Sequence, residues 1–82
     1  MDNSSIGGRV RYARMRAVLS QDELSTATGI PKATISRIEN GKNEQPRFVT
    51  VRKLADALDV PARWLLAGGD LAEVEQELKI AA

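Results

Sequence analysis

Residues 20–41 read as two short helices joined by Gly29-Ile30-Pro31, and this three-residue joint constrains the fold more than any other feature of the chain. Ser20 followed three residues later by Glu23 is a capping box. The Ser oxygen takes one free N–H of the first turn, and the Glu carboxylate reaches back to another. The helix that starts there points Leu24 and Ala27 inward. It ends at Gly29, because glycine tolerates the left-handed conformation that follows a last turn. Pro31 opens the next helix near its first position, where its missing N–H costs nothing. Ile35 and Ile38 are the core contacts of that helix, and Gly41 closes it. With so little chain between them the two helices must cross steeply, and Ala27 is the small residue expected where they approach.

The remainder of the 82 residues is punctuated in the same way. A first helix is expected from about Ser5 to Val18, capped by Ser4 or Ser5. Ile6, Val10, Ala13 and Ala17 recur at spacings of three and four and form its buried stripe, with the arginines on the other faces. Lys42 to Pro46 is a polar loop. A fourth helix begins at Phe48 or Val49 and runs to Leu58, with Phe48, Val51, Leu54, Ala55 and Leu58 as its apolar face. Asp59-Val60-Pro61 breaks it. A fifth helix follows from Pro61 to about Ala67, anchored in the core by Trp64 and Leu65. The β-branched residues never alternate over a run, so no strand is expected.

The reading is therefore all-α: a compact five-helix domain over residues 1–67, then a short acidic C-terminal tail over residues 68–82. Gly68-Gly69 marks the boundary. Asp70 caps a last short helix that carries Leu71, Val74 and Leu78 on one side. A stripe this narrow is open to docking on its own domain, pairing with a second subunit, or fraying.

Composition then removes whole classes of chemistry. The chain has no Cys and no His. Disulfides, Cys/His metal sites and nucleophile–His triads are excluded. No Gly-rich phosphate loop is present, and the carboxylates are scattered over helix surfaces. No catalytic residue, metal or cofactor is assigned, and an enzyme is not expected. The chain contains no run of about eighteen apolar residues that could span a membrane. Nor is there a basic segment followed by an apolar stretch of the secretory type. A cytoplasmic protein is expected, and the absence of Cys fits a reducing compartment. A core this thin leaves little room for a small-molecule cavity.

The net charge of +1 averages two unlike parts. Residues 1–67 carry eleven Lys/Arg against seven Asp/Glu, a balance of +4. Residues 68–82 carry Lys79 against Asp70, Glu73, Glu75 and Glu77, a balance of −3. Arg9, Arg11, Arg14 and Arg16 fall within eight residues. Such clustering points to an anionic partner or to a solvated helix face.

Ser20 to Gly41 has the form of a helix-turn-helix. The outer face of its second helix reads Lys32, Ala33, Thr34, Ser36, Arg37 and Asn40. Side chains that short and polar let a helix enter a major groove about 12 Å wide. The run Ile35-Ser36-Arg37-Ile38-Glu39-Asn40-Gly41 resembles the Cro/C1-type helix-turn-helix repressors, which are lambda-repressor-like five-helix DNA-binding domains of this size. Pro46-Arg47-Phe48, Leu54-Ala55-Asp56-Ala57-Leu58 and Trp64-Leu65-Leu66 extend the resemblance over roughly Ser5 to Gly68.

The resemblance implies a role for each matching residue. Gln21 should hydrogen-bond a backbone phosphate and brace the recognition helix. Lys32, Ala33 and Arg37 match positions that meet base edges, and Thr34 and Ser36 flank them, within reach of bases or phosphates. Asn40 and Lys42 match phosphate contacts, and Arg47 matches an arginine that approaches the minor groove. Arg14 and Glu39 match a structural ion pair between the first and third helices. Plainer readings stand beside these: Gln21 as a polar residue at a helix start, Lys32 and Arg37 as solvating charges, Arg47 as a loop charge. The chain also departs from the phage repressors, which often carry glutamines where it has Lys32 and Ala33. Gln reads adenine, whereas Lys prefers guanine O6/N7 and Ala offers only a methyl to a thymine methyl.

By the same resemblance, the chain should act as a sequence-specific regulator, most simply a repressor. It would bind a pseudo-palindromic operator as a homodimer joined through the Pro46–Phe48 and Asp59–Pro61 region. The acidic tail is a second candidate surface, and RNA polymerase a candidate protein partner. The alternative is an antitoxin-type module that neutralises a toxin and represses its own promoter, with the tail as the toxin-binding element.

Overall fold

Side-chain caps begin three of the six helices in the computed structural model, which describes residues 3–81. The outer limits of the expected segments 1–67 and 68–82 thus lie outside the described residues. These form six helices: α1 (Ile6–Arg16), α2 (Gln21–Thr28), α3 (Lys32–Glu39), α4 (Phe48–Leu58), α5 (Ala62–Ala67) and α6 (Leu71–Ala81). None of the described residues is in a strand. Ser5 caps α1 by accepting from the Gly8 N–H. Ser20 and Glu23 form the reciprocal capping box of α2. Pro31 and Pro61 lie just before α3 and α5 as N-cap residues rather than inside them. Gly29 takes φ +75° after α2, the left-handed stop its sequence position called for.

One apolar cluster holds α1 to α5 together. Val10 and Ala13 of α1, Leu24 of α2, and Ile35 and Ile38 of α3 meet Val51, Leu54 and Leu58 of α4 and Trp64 and Leu65 of α5. Burying each large aliphatic side chain is worth about 1.5–3 kcal/mol, which makes this cluster the main source of stability. Trp64 is a core side chain, as expected. Its ring packs edge-on to Tyr12 with centroids 6.2 Å apart, and its Nε1 donates to the Gly69 carbonyl at 3.0 Å.

Four expectations about faces fail. Ala17 and Ala27 are exposed rather than inward. A small residue is needed at a different crossing, that of α1 with α3, where a Cβ on Gly7 would overlap the Ile38 carbonyl oxygen and sit 3.1 Å from that of Glu39. Arg9 does not share an outer face with Arg11 and Arg16. It is 6% exposed, and its Nε and Nη2 donate to the carbonyls of Leu65 and Leu66 at 2.9 and 3.2 Å. A cation there answers the acceptor groups left open at the end of α5. Phe48 is not on the buried face of α4: it is 73% exposed.

The C-terminal helix lies against the body through Leu71 and Val74, which are partly buried on the core. Asp70 caps it by accepting from the Glu73 N–H at 3.0 Å. Arg63 meets Glu77 at 2.8 Å and Arg16 meets Glu75 at 3.8 Å. Such exposed pairs add little each. Leu78 and Ile80 remain exposed.

Candidate nucleic-acid interface

The placement of α3 is fixed from both ends. At its N-terminal end the turn is tied internally: Ser25 Oγ donates to the Ile30 carbonyl at 2.6 Å, and the Ile30 N–H donates to Thr28 Oγ1 at 3.1 Å. Ser25 and Thr28 were not singled out from sequence, although Ser/Thr beside a turn glycine is a signal for such bonds. At its C-terminal end Glu39 is gripped by Arg14 of α1, with Nε to Oε2 at 2.7 Å and Nη2 to Oε1 at 2.9 Å. Arg14 Nη1 also donates to the Leu19 carbonyl at 2.8 Å, and Gln21 Nε2 donates to Glu39 Oε1 at 3.2 Å. Three helices thus converge on one carboxylate whose side chain is 2% exposed. Hydrogen bonding to Glu39 raises the Arg14 pKa above its ordinary value, and the Glu39 charge adds to this against the opposing effect of burial.

With Ile35 and Ile38 buried, the opposite side of α3 faces outward. Lys32, Ala33 and Arg37 are exposed there, and Thr34 and Ser36 are half-buried. Asn40 is exposed just past the helix, and its Nδ2 donates to Ser36 Oγ at 3.2 Å. Lys32 Nζ lies 3.3 Å from Asp22 Oδ2 of α2. The Lys42 N–H donates to the Arg37 carbonyl at 2.8 Å, and Lys42 is exposed just past α3.

Arg47 stands at the N-cap of α4 and is exposed. It shares a depression with Pro31, Thr34, Asn43, Thr50 and Lys53, so it borders α3 rather than projecting from an isolated loop. Arg47, Thr50 and Lys53 recur every three residues along one side of α4. Lys53 and Asn43 were missed from sequence, although that spacing with Arg47 could have flagged Lys53. Among the described residues no group of acidic side chains could hold a metal ion, and no helix is long and apolar enough to cross a membrane.

The helix-turn-helix family matches residues 10–65. The chain belongs to that family, in its Cro/C1-type branch. Over 73 residues the domain is 40% identical to the HTH-type transcriptional repressor RghR of Bacillus subtilis (strain 168), a match over 88% of this chain and 54% of that protein. Over 79 residues it is 38% identical to RghRB of the same strain, an uncharacterized HTH-type transcriptional regulator, over 95% of this chain and 57% of that protein. The chain thus spans little more than half the length of these curated relatives. In three dimensions the domain resembles the P22 c2 repressor solved in complex with a synthetic operator (TM-score 0.75, 27% identity, 80% of this chain and 98% of that one). It also resembles a chain of the SinR protein/SinI protein complex (TM-score 0.73, 29% identity, 93% of this chain and 77% of that one).

Proposed function

We propose that this domain is the DNA-reading part of a transcriptional repressor. The observation that carries the reading is the outer face of α3. It bears Lys32 and Arg37, has no large apolar side chain, and is held at a fixed angle by the Arg14–Glu39–Gln21 cluster. A helix so presented enters the major groove and meets base edges with Lys32, Ala33 and Arg37. Gln21, Asn40, Lys42 and Arg47 surround it on neighbouring elements and take the phosphate and minor-groove positions. Those contacts fix register, while the bases specify. Lys32 reads guanine, and Ala33 suits a thymine methyl. The kinship with RghR and the P22 c2 repressor supports the same reading.

One α3 reads about four or five base pairs, so a single copy binds weakly. Two copies on a pseudo-palindromic operator place their recognition helices about 34 Å apart, one turn of the duplex. Phe48 and Val49 are exposed at the start of α4, and Phe48 borders an apolar depression with Ile6, Pro46 and Leu66. This surface supports pairing of two copies next to Arg47.

The test is selection of random duplex DNA by the purified chain, with retained pools sequenced at two salt concentrations. A pseudo-palindromic consensus with half-sites one turn apart is expected. Retention without any consensus, vanishing as salt rises, would reduce the binding to charge attraction and overturn the reading.

A protein partner is the second reading, favoured by the acidic α6 with Leu78 and Ile80 exposed, and by the SinR likeness, since that protein was solved with SinI. A stable complex with the product of a neighbouring gene, lost on removal of α6, would support the antitoxin-type role.

A further inference from the structure

Lys32 occupies the first position of α3, and its ammonium lies 3.3 Å from Asp22 Oδ2, in the first turn of α2. Both side chains are exposed, so this pair contributes little to folding. Its position gives it another use. Asp22 adjoins Gln21, the proposed phosphate contact, and it holds the proposed base reader. We propose that Asp22 is a specificity-determining residue: it aims Lys32 at a base and opposes phosphate in the place of that base. The inference rests on the reading of Lys32 as a base contact.

A lysine ammonium has three donors. One is directed to Asp22, which leaves two, and the guanine edge in the major groove offers two acceptors, O6 and N7. The pair can therefore persist while Lys32 reads guanine. A phosphate oxygen approaching the same ammonium must also approach the Asp22 carboxylate, a like charge. The guanine edge carries no net charge, so its two acceptors meet a much weaker opposition. The carboxylate thus lowers affinity for duplex in general more than affinity for the correct base pair. Specificity is a difference of affinities, and penalising the wrong partner raises it. A flexible lysine stem is also a poor pointer when free, and an anion beside its ammonium narrows where that ammonium can lie.

The experiment compares the wild-type chain with Asp22→Asn, Lys32→Met and the double variant. Each is titrated against the selected operator and against an unrelated duplex of equal length, over a salt series. Urea midpoints confirm that each variant folds. For Asp22→Asn the unrelated duplex should bind roughly two- to fivefold tighter, with a steeper salt slope. The operator should gain less, so the operator-to-unrelated ratio falls. In the Lys32→Met background the same change should leave that ratio unaltered. An unchanged ratio for Asp22→Asn, or an undiminished effect without Lys32, overturns the role of Asp22. If Lys32→Met relaxes base choice in that same experiment, the reading of Lys32 itself survives. If Lys32→Met weakens all duplexes alike, Lys32 is a phosphate contact, and the proposal falls together with the reading it rests on.

Discussion

Gly7 of α1 lies directly against the carbonyl oxygen of Ile38 in α3, with no room for a single additional carbon. The obstacle is backbone at the end of α3, so neither side can yield without moving that helix. Gly7→Ala should therefore lower stability by about 1–3 kcal/mol, the usual cost of overpacking. The loss should outweigh the helix propensity gained by adding a methyl. A urea melt checks this: the midpoint should fall with the slope unchanged. An unchanged or higher midpoint would show that the crossing can open.

Glu39 accepts from Arg14 twice and from Gln21 once. Glu39→Ala would leave the Arg14 guanidinium largely buried without its carboxylate, and should cost about 3 kcal/mol. Gln21 would lose a brace as well. The Arg14 pKa is raised in the fold, chiefly by its hydrogen bond to Glu39. A group with a raised folded pKa contributes fully below its unfolded value and loses that contribution only as pH rises through the folded one. The stabilisation from Arg14 should thus be complete at neutral pH and persist to at least about pH 11. Urea midpoints of wild type and Glu39→Ala across the alkaline range should stay separated by a constant amount. Convergence near pH 9 would mean that another group is responsible.

Val18 adopts φ +57° and is 85% exposed. A β-branched residue in the left-handed region is strained by about 1–2 kcal/mol, and its exposure means that little packing offsets the strain. Val18→Gly should raise stability by about 1 kcal/mol, once the greater freedom of glycine in the unfolded chain is subtracted. The measured urea midpoint should rise. A fall would show that the Val18 side chain makes a contact worth more than the strain.

The legible parts of this molecule were those determined by nearest neighbours along the chain. Ser20 with Glu23 and the Gly29 stop are complete within a few residues, and both formed as read. Val10 and Ala13 of α1, and Ile35 and Ile38 of α3, follow from helical period within each helix, whereas Ala17 at the end of the α1 stripe does not. What failed depended on partners far along the chain. Arg9 is buried because carbonyls 56 and 57 residues away accept from it. Ala27 is apolar enough to be inside, but size class does not say which helix approaches which face. Gly7 by itself says nothing of the Ile38 carbonyl, because glycine in a helix usually signals a weakness rather than a crossing. In the candidate interface, the Arg14–Glu39 pair came from family resemblance and Lys53 was within reach of its spacing from Arg47, whereas the hold of Asp22 on Lys32 needed the helices to be placed.

In the proposed reading Arg37 meets a base and Lys42 a phosphate, so the two variants should behave differently. Arg37 is exposed in the last turn of α3, and Lys42 follows the helix. Arg37→Ala should cost about 1–3 kcal/mol on the selected operator and relax choice at one position in each half-site. Lys42→Ala should weaken every duplex alike and reduce the salt slope by about one per copy. Titrations of both variants against the operator, against single-base variants of it and against unrelated DNA decide between the roles. A uniform loss for Arg37→Ala would move that residue to the phosphates.

Phe48 begins α4 beside Arg47, so its exposed ring sits at the edge of the proposed DNA-facing surface rather than in the core. Phe48→Ala should therefore leave the urea midpoint within about 0.5 kcal/mol of wild type. Its effect should appear when two copies bind side by side, because an aromatic ring buried between subunits is a typical centre of binding energy. The loss on a full operator should be tenfold or more, by the rough value of about 2 kcal/mol for such a ring. Binding to an isolated half-site should be unchanged. Titration of half-site and full-site duplexes, with stoichiometry read by sedimentation, gives both numbers. Equal losses on the two duplexes would place Phe48 in contact with DNA, and no loss on either would move the subunit contact elsewhere, with the Asp59–Pro61 corner and α6 the next surfaces to alter.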